Sequence, residues 1–119
     1  MTTQEIANHL VALCRKGEFE AAQKELFAKD AVSIEPHATP EFPKETKGLD
    51  AIYAKGKQWE AGVEATYGVT VSEPLVAGKT FACTLAMDLK MKGHDRFVMT
   101  ELCVYKVEDG KIVSEEFFM

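Results

Sequence analysis

The chain has 119 residues, 46% apolar and 28% charged, with a formal net charge of -5. This length suits one compact domain over residues 1–119, and the composition is that of an ordinary globular protein with enough apolar residues for a core. An acidic balance (pI near 5.2) excludes nucleic acid and anionic membrane surfaces as partners, because both are recognised by clustered Lys and Arg.

Cys14, Cys83 and Cys103 lie in apolar segments, and no CxxC pair occurs. His9, His37 and His94 are scattered, so no zinc motif forms. Buried free thiols in a reducing compartment follow. No basic stretch precedes an apolar run at the N-terminus, and no apolar run approaches the roughly 20 residues of a membrane helix. The expectation is a cytoplasmic protein without metal or cofactor.

Thr2-Thr3-Gln4-Glu5 has the form of a capping box. Behind it Ile6, Leu10, Leu13 and Cys14 recur at helical spacing, and Gly17 ends the helix. A second helix is predicted from Glu18 to Ala28, burying Phe19, Ala22, Leu26 and Phe27. Lys29 to Pro36 then reads as a strand: Asp30 stops the helix, Val32 and Ile34 favour extended backbone, and Pro36 closes the run. Alternation puts Ser33 and Glu35 on one face. Residues 37–47 contain two prolines and read as a loop. Gly48 leads into a third helix, Leu49 to Val63, with Ile52, Gly56, Trp59 and Val63 on one stripe. Gly56 weakens this helix by about 1 kcal/mol relative to Ala and allows close approach to a sheet.

From Tyr67 the period is that of strands. Val69, Val71, Leu75 and Val76 mark one, interrupted by Pro74. Phe81, Cys83, Leu85, Met87, Leu89 and Met91 alternate cleanly with polar or small residues. Phe97 to Val107 returns, and Asp109-Gly110 is a hairpin signal before the last strand, Ile112 to Phe118. The order is helix, helix, strand, helix and a four-strand antiparallel meander. That is an α+β layout with helices on one face of a curved sheet.

Four segments carry a resemblance spanning nearly the whole chain: Gly17-Glu18-Phe19-Glu20-Ala21, Lys29-Asp30-Ala31-Val32, Gly48-Leu49-Asp50-Ala51-Ile52, and Val107-Glu108-Asp109-Gly110-Lys111-Ile112-Val113. In this order they resemble the nuclear transport factor 2-like superfamily, with its SnoaL-like cyclases and ketosteroid isomerases. The resemblance implies a cone-shaped curved mixed or antiparallel sheet, three N-terminal helices on its concave face, and a homodimer paired through the sheet. It also implies that Glu35, before Pro36, stands where ketosteroid isomerases hold a catalytic Asp-Pro base. Cys103 and Leu10 stand where those enzymes hold their two oxyanion donors. With both donors replaced, ketosteroid isomerase activity itself is not expected, since losing such donors costs orders of magnitude in rate.

Glu35 is therefore the candidate base, and the alternative is a structural carboxylate that accepts a hydrogen bond from the third helix or sits at a wet rim. By the resemblance Glu101, Cys103, Tyr105 and Val107 look into the cone, matched by Val113, Glu115, Phe117 and Met119 of the last strand. Glu101 and Glu115 would then be candidate acids, with mutual repulsion in a dry pocket raising one pKa. A one-residue slip would turn both to solvent. Leu10, Cys14, His37, Tyr53, Trp59, Cys103, Tyr105 and Phe117 are the candidate ligand-binding residues; the alternatives are core packing for the aromatics and thiols and simple exposure for His37. Asp88, on the opposite sheet face, suits a dimer or solvent role. Two functions remain open. One is a pocket for a small apolar carbonyl metabolite, with cofactor-free isomerisation, cyclisation or dehydration by a carboxylate base. The other is a non-catalytic binding or dimerisation module with a filled cone.

Overall fold

A computed structural model describes all of residues 1–119. α1 spans Thr3–Arg15 and opens on the expected capping box. Glu5 N donates to Thr2 Oγ1 at 3.1 Å, and Thr2 N donates to Glu5 Oε1 at 2.8 Å. Its buried stripe is Ile6, Ala7, Leu10, Val11 and Cys14, wider than the sequence pattern by Ala7 and Val11, whereas Leu13 is only half-buried. Gly17 sits at φ 75° and turns the chain off the helix, a conformation that costs an L side chain.

α2 (Phe19–Leu26) passes directly into β1 (Phe27–Ile34). The predicted helix end at Ala28 is therefore corrected by two residues, and Asp30 is an exposed strand residue rather than a helix stop. Phe27 adopts extended backbone (φ -89°, ψ 144°) and pairs with Ile112. Burying its ring against the sheet outweighs a weak local helical preference. β1 has neighbours on both sides. β2 (Glu45–Lys47) pairs with it antiparallel and β7 (Lys111–Phe118) pairs with it parallel. β2 lies inside the segment expected to be all loop; three residues are too few to display alternation. Glu35 N donates to Lys44 O at 2.7 Å, continuing this pairing past the end of β1.

After Gly48 comes α3 (Leu49–Gly62), followed at once by β3 (Val63–Val71), so strand structure begins before Tyr67. Pro74 falls in the break between β3 and the short β4 (Leu75–Ala77). β5 (Thr80–Met91) and β6 (Phe97–Glu108) complete the set. The sheet order is β2-β1-β7-β6-β5-β3, with β4 also against β5. The result is the α+β architecture expected: three helices on the concave face of an unclosed, curved, mixed sheet. No helix is long and apolar enough to cross a membrane.

Period-2 alternation holds along β5, where Phe81, Cys83, Leu85, Met87 and Leu89 are all buried. On β6, Cys103, Tyr105 and Val107 are buried and Glu101 is half-buried on the same face. The β6–β7 hairpin turns through Asp109 (φ 50°) and Gly110 (φ 75°), the left-handed pair of a two-residue turn. β7 carries one irregularity. Val107 pairs with Ile112 but Lys106 pairs with Ser114, leaving Val113 without a cross-strand partner. This bulge inverts the alternation locally, so Ile112, not Val113, enters the core (0% exposed). Beyond the bulge Glu115 and Phe117 face inward, and Glu115 is buried.

Candidate active site

The helices and the concave face of the sheet line an open cavity of about 340 Å³, large enough for a small organic ligand. Its wall is predominantly apolar. α1 supplies Leu10 and Cys14, α3 supplies Tyr53 and Trp59, and the sheet supplies Tyr105 and Phe117. His37 borders it from the loop after β1 as an exposed residue. Glu35, Glu101 and Glu115 also line it. Cys103 does not. Its short side chain is buried outside the cavity lining, opposite Cys83 across the β5–β6 pairing. Gly56 lines the cavity as well, and a Cβ built on it would meet nothing within 4 Å. The expectation that Gly56 lets α3 approach the sheet is thus corrected: it leaves open space.

A polar cluster crosses the cavity wall. β1 presents Ser33, with Glu35 one residue beyond its end, on the same strand face; β7 presents Glu115 opposite Ser33 in the parallel register. From α3, Lys55 Nζ donates to Ser33 Oγ at 2.6 Å and to Glu35 Oε1 at 3.0 Å. Ser33 Oγ in turn donates to Glu115 Oε1 at 2.8 Å. Lys55 is well covered, its side chain 14% exposed, so its ammonium is a strong local charge. Neither Lys55 nor Ser33 was singled out from sequence. The available signal was position: Lys55 lies three residues after Ile52 and four before Trp59, the spacing of the inward stripe, and a Lys there needs a buried partner.

Burial is the main force on the two inner carboxyls. It pushes Glu115 up to about 7, against the Ser33 hydrogen bond and Lys55, with Glu35 adding repulsion. It pushes Glu101 up to about 7 as well, aided by the Glu35 and Glu115 charges and opposed by Lys55. Mutual repulsion is thus secondary to desolvation, and both groups move rather than one. Burial also holds the Tyr105 hydroxyl well above its ordinary range and raises Cys14 to about 12, keeping both protonated. No group of three His, Cys, Asp or Glu side chains is arranged to hold a metal ion.

Asp88, on the outer sheet face, is engaged by Arg96 through two hydrogen bonds of 2.9 and 2.8 Å. The Arg96 guanidinium stacks 3.9 Å from the Tyr67 ring centre. This is a surface tie between β3, β5 and the β5–β6 turn, remote from the cavity.

The same architecture recurs in solved structures. A candidate SnoaL-like polyketide cyclase from Mesorhizobium loti is 31% identical over all of both chains, with a TM-score of 0.93. IdmH, a candidate polyketide cyclase from Streptomyces antibioticus, superposes with a TM-score of 0.73 at 22% identity, over 99% of this chain and 91% of its own. A hypothetical protein of ketosteroid isomerase-like fold from Catenulispora acidiphila, solved with trimethylamine, reaches 0.74 at 18% identity, over 97% of this chain and 85% of its own. Among curated proteins no relative matches. The family model for the SnoaL-like domain matches residues 1–119 from end to end, and the chain belongs to the SnoaL-like family.

Proposed function

We propose that this protein is a cofactor-free acid–base enzyme acting on a small, apolar, carbonyl-bearing molecule held in the cavity. One observation carries the reading: an apolar cavity of about 340 Å³ has Glu101 and Glu115, both pushed up to about 7, in its wall beside Glu35. Carboxyls that titrate near neutrality populate both protonation states there, which is what proton transfer in both directions needs. Glu35 is the base that removes a proton next to the carbonyl. Glu101 and Glu115 supply the acid that returns it at the new position. Lys55 neutralises the charge that moves between them and, through Ser33, orients Glu115. Isomerisation, cyclisation and dehydration all share this proton economy. An open cavity also argues against the rival reading of a filled, non-catalytic cone.

The outer sheet face supports homodimer formation. Val98 (63% exposed), Leu102 (42%) and Phe118 (47%) are exposed there, and Leu102 pairs with Thr84 and Phe118 across its two neighbouring strands. An apolar face on the outside of a sheet is the kind of surface that a second copy covers.

The test is a thermal-shift screen of apolar ketones, lactones and fatty acids against wild type and Glu35→Gln, followed by turnover assays on the hits. The reading expects carbonyl compounds that stabilise the protein and are converted by wild type, with conversion lost in Glu35→Gln. Ligands that bind equally in both proteins and are never converted would leave only a binding module.

A further inference from the structure

Cys83 on β5 and Cys103 on β6 stand directly opposite each other in the antiparallel register. Both are free thiols and almost wholly buried, at 4% and 1% exposure. The hydrogen bonding of the two strands fixes which kind of pair they form. Val107 N donates to Lys79 O at 2.8 Å, while the Thr84 carbonyl accepts from Ser72 N on the other side of β5. Bonded and non-bonded pairs alternate along an antiparallel ladder, so Cys83 and Cys103 are a hydrogen-bonded pair with Cα atoms about 5.5 Å apart. Disulfides bridge Cα separations of about 4.4–6.8 Å. The adjacent pair on the same face, Phe81 and Tyr105, stacks with ring centres 4.8 Å apart, so side chains opposed in this register do meet.

We infer that Cys83 and Cys103 are a redox site, which hydrogen peroxide oxidises to a cross-strand disulfide that draws β5 and β6 together behind the cavity wall. The bond itself is independent of the acid–base reading above; its consequence for Glu101 rests on that reading. Cys83 is the attacking group. Cys103 beside it and the Arg15 guanidinium hold its thiol below the ordinary value, against burial, which favours the thiolate that attacks peroxide. The Cys83 sulfur takes one oxygen of hydrogen peroxide as the O–O bond breaks, giving a sulfenic acid and one water. The Cys103 sulfur then displaces the sulfenic hydroxyl, forming the S–S bond and releasing a second water. Two thiols thus lose two electrons and two protons to one peroxide. Opposed Cβ atoms in a sheet stand up to about 5.5 Å apart, whereas a disulfide holds them at about 3.8 Å. The bond is therefore strained and readily reduced, which makes it reversible. Leu85 and Glu101, the next pair along the same face, line the cavity, so the closing strands shift Glu101.

The test treats the folded full chain with hydrogen peroxide, blocks the remaining thiols with iodoacetamide and maps the tryptic peptides by mass. Cys83 falls in residues 80–90 and Cys103 in residues 97–106. A linked species lighter by two hydrogens than the two peptides together is expected, and dithiothreitol should remove it. Cys103→Ala should leave Cys83 as a sulfenic acid that dimedone traps, and Cys14→Ala should still form the link. Two separate alkylated peptides, or Cys83 linked to Cys14 instead, would overturn the site, as would a link that forms only in urea. The Glu101 ¹³C carboxyl resonance should shift on oxidation and return on reduction. A link that leaves this resonance in place would overturn the coupling to the cavity wall. A Glu101 that titrates below about pH 5, as exposed glutamates do, would remove the acid–base reading and leave the disulfide standing.

Discussion

Ser33 and Glu115, 82 residues apart, face each other across the parallel β1–β7 pairing, and the Ser33 hydroxyl donates to the Glu115 carboxyl at 2.8 Å. Lys55 closes this arrangement from the helix layer, 2.6 Å from Ser33 Oγ and 3.0 Å from Glu35. One ammonium therefore serves three carboxyls through two direct contacts. Replacing it by Met should destabilise the protein by about 2 kcal/mol at pH 8, where the carboxylates lose their only buried counter-charge. At pH 5 the loss should fall below about 1 kcal/mol, because the inner carboxyls take up protons instead. Urea unfolding at both values measures the difference, and a loss independent of pH would mean Lys55 acts by packing alone.

Glu115 makes a signed prediction about pH. Its folded pKa, about 7, exceeds the ordinary value of 4.5, so between these limits the folded state binds more protons than the unfolded one. The associated stability is fully present below about 4.5 and is lost as pH rises through about 7. Glu115→Gln, neutral at every pH, should flatten the stability profile in this window and exceed wild type above pH 7 by about 2 kcal/mol. Chemical denaturation across pH 4.5–8 reads it directly. A variant with an unchanged slope would show that Glu115 is not the titrating group.

How much of this was legible in the sequence depends on whether local or distant forces decide. The capping box at Thr2 and the Asp109-Gly110 turn are local, and both stand as read. The clean alternation of β5 is equally local, because one face meets the core along its whole length. The junctions were not legible. Phe27 and Val63 each leave a helix and enter a strand without an intervening turn; no Gly or Pro stands before Phe27, Gly62 before Val63 is still helical, and the sheet decides where each strand begins. β7 was misread at one residue, since the bulge at Val113 arises from pairing with β6 rather than from any property of valine. Glu35 was visible from its place before Pro36, whereas Ser33 and Lys55 matter only through contacts across three elements.

Gly56 offers a stabilising change. It lies within α3, and a Cβ there would project into open space. Gly56→Ala should add about 0.5–1 kcal/mol by removing the helix penalty of glycine. The methyl would also narrow the cavity wall, so ligand affinity should change while stability rises. Paired melting curves with and without a bound ligand separate the two effects. A destabilised Gly56→Ala would contradict the open space described at that position.

Leu102 tests the proposed assembly. It is 42% exposed at the centre of the outer sheet face, far from the cavity wall. Leu102→Glu should convert a dimer to a monomer in sedimentation equilibrium, since a desolvated charge at the centre of an apolar interface is costly. Its far-ultraviolet spectrum should stay that of wild type. A wild type that sediments as a monomer at all concentrations would remove this face as a homodimer interface.

The most direct test of the acid–base account is a ¹³C NMR titration of the glutamate side-chain carboxyls, assigned with Glu101→Gln and Glu115→Gln. The account predicts two carboxyl resonances that titrate near pH 7 and disappear one at a time in the two variants. Carboxyls that all titrate below about pH 5, as solvent-exposed glutamates do, would contradict it, because no group in the cavity would then carry a transferable proton at neutral pH.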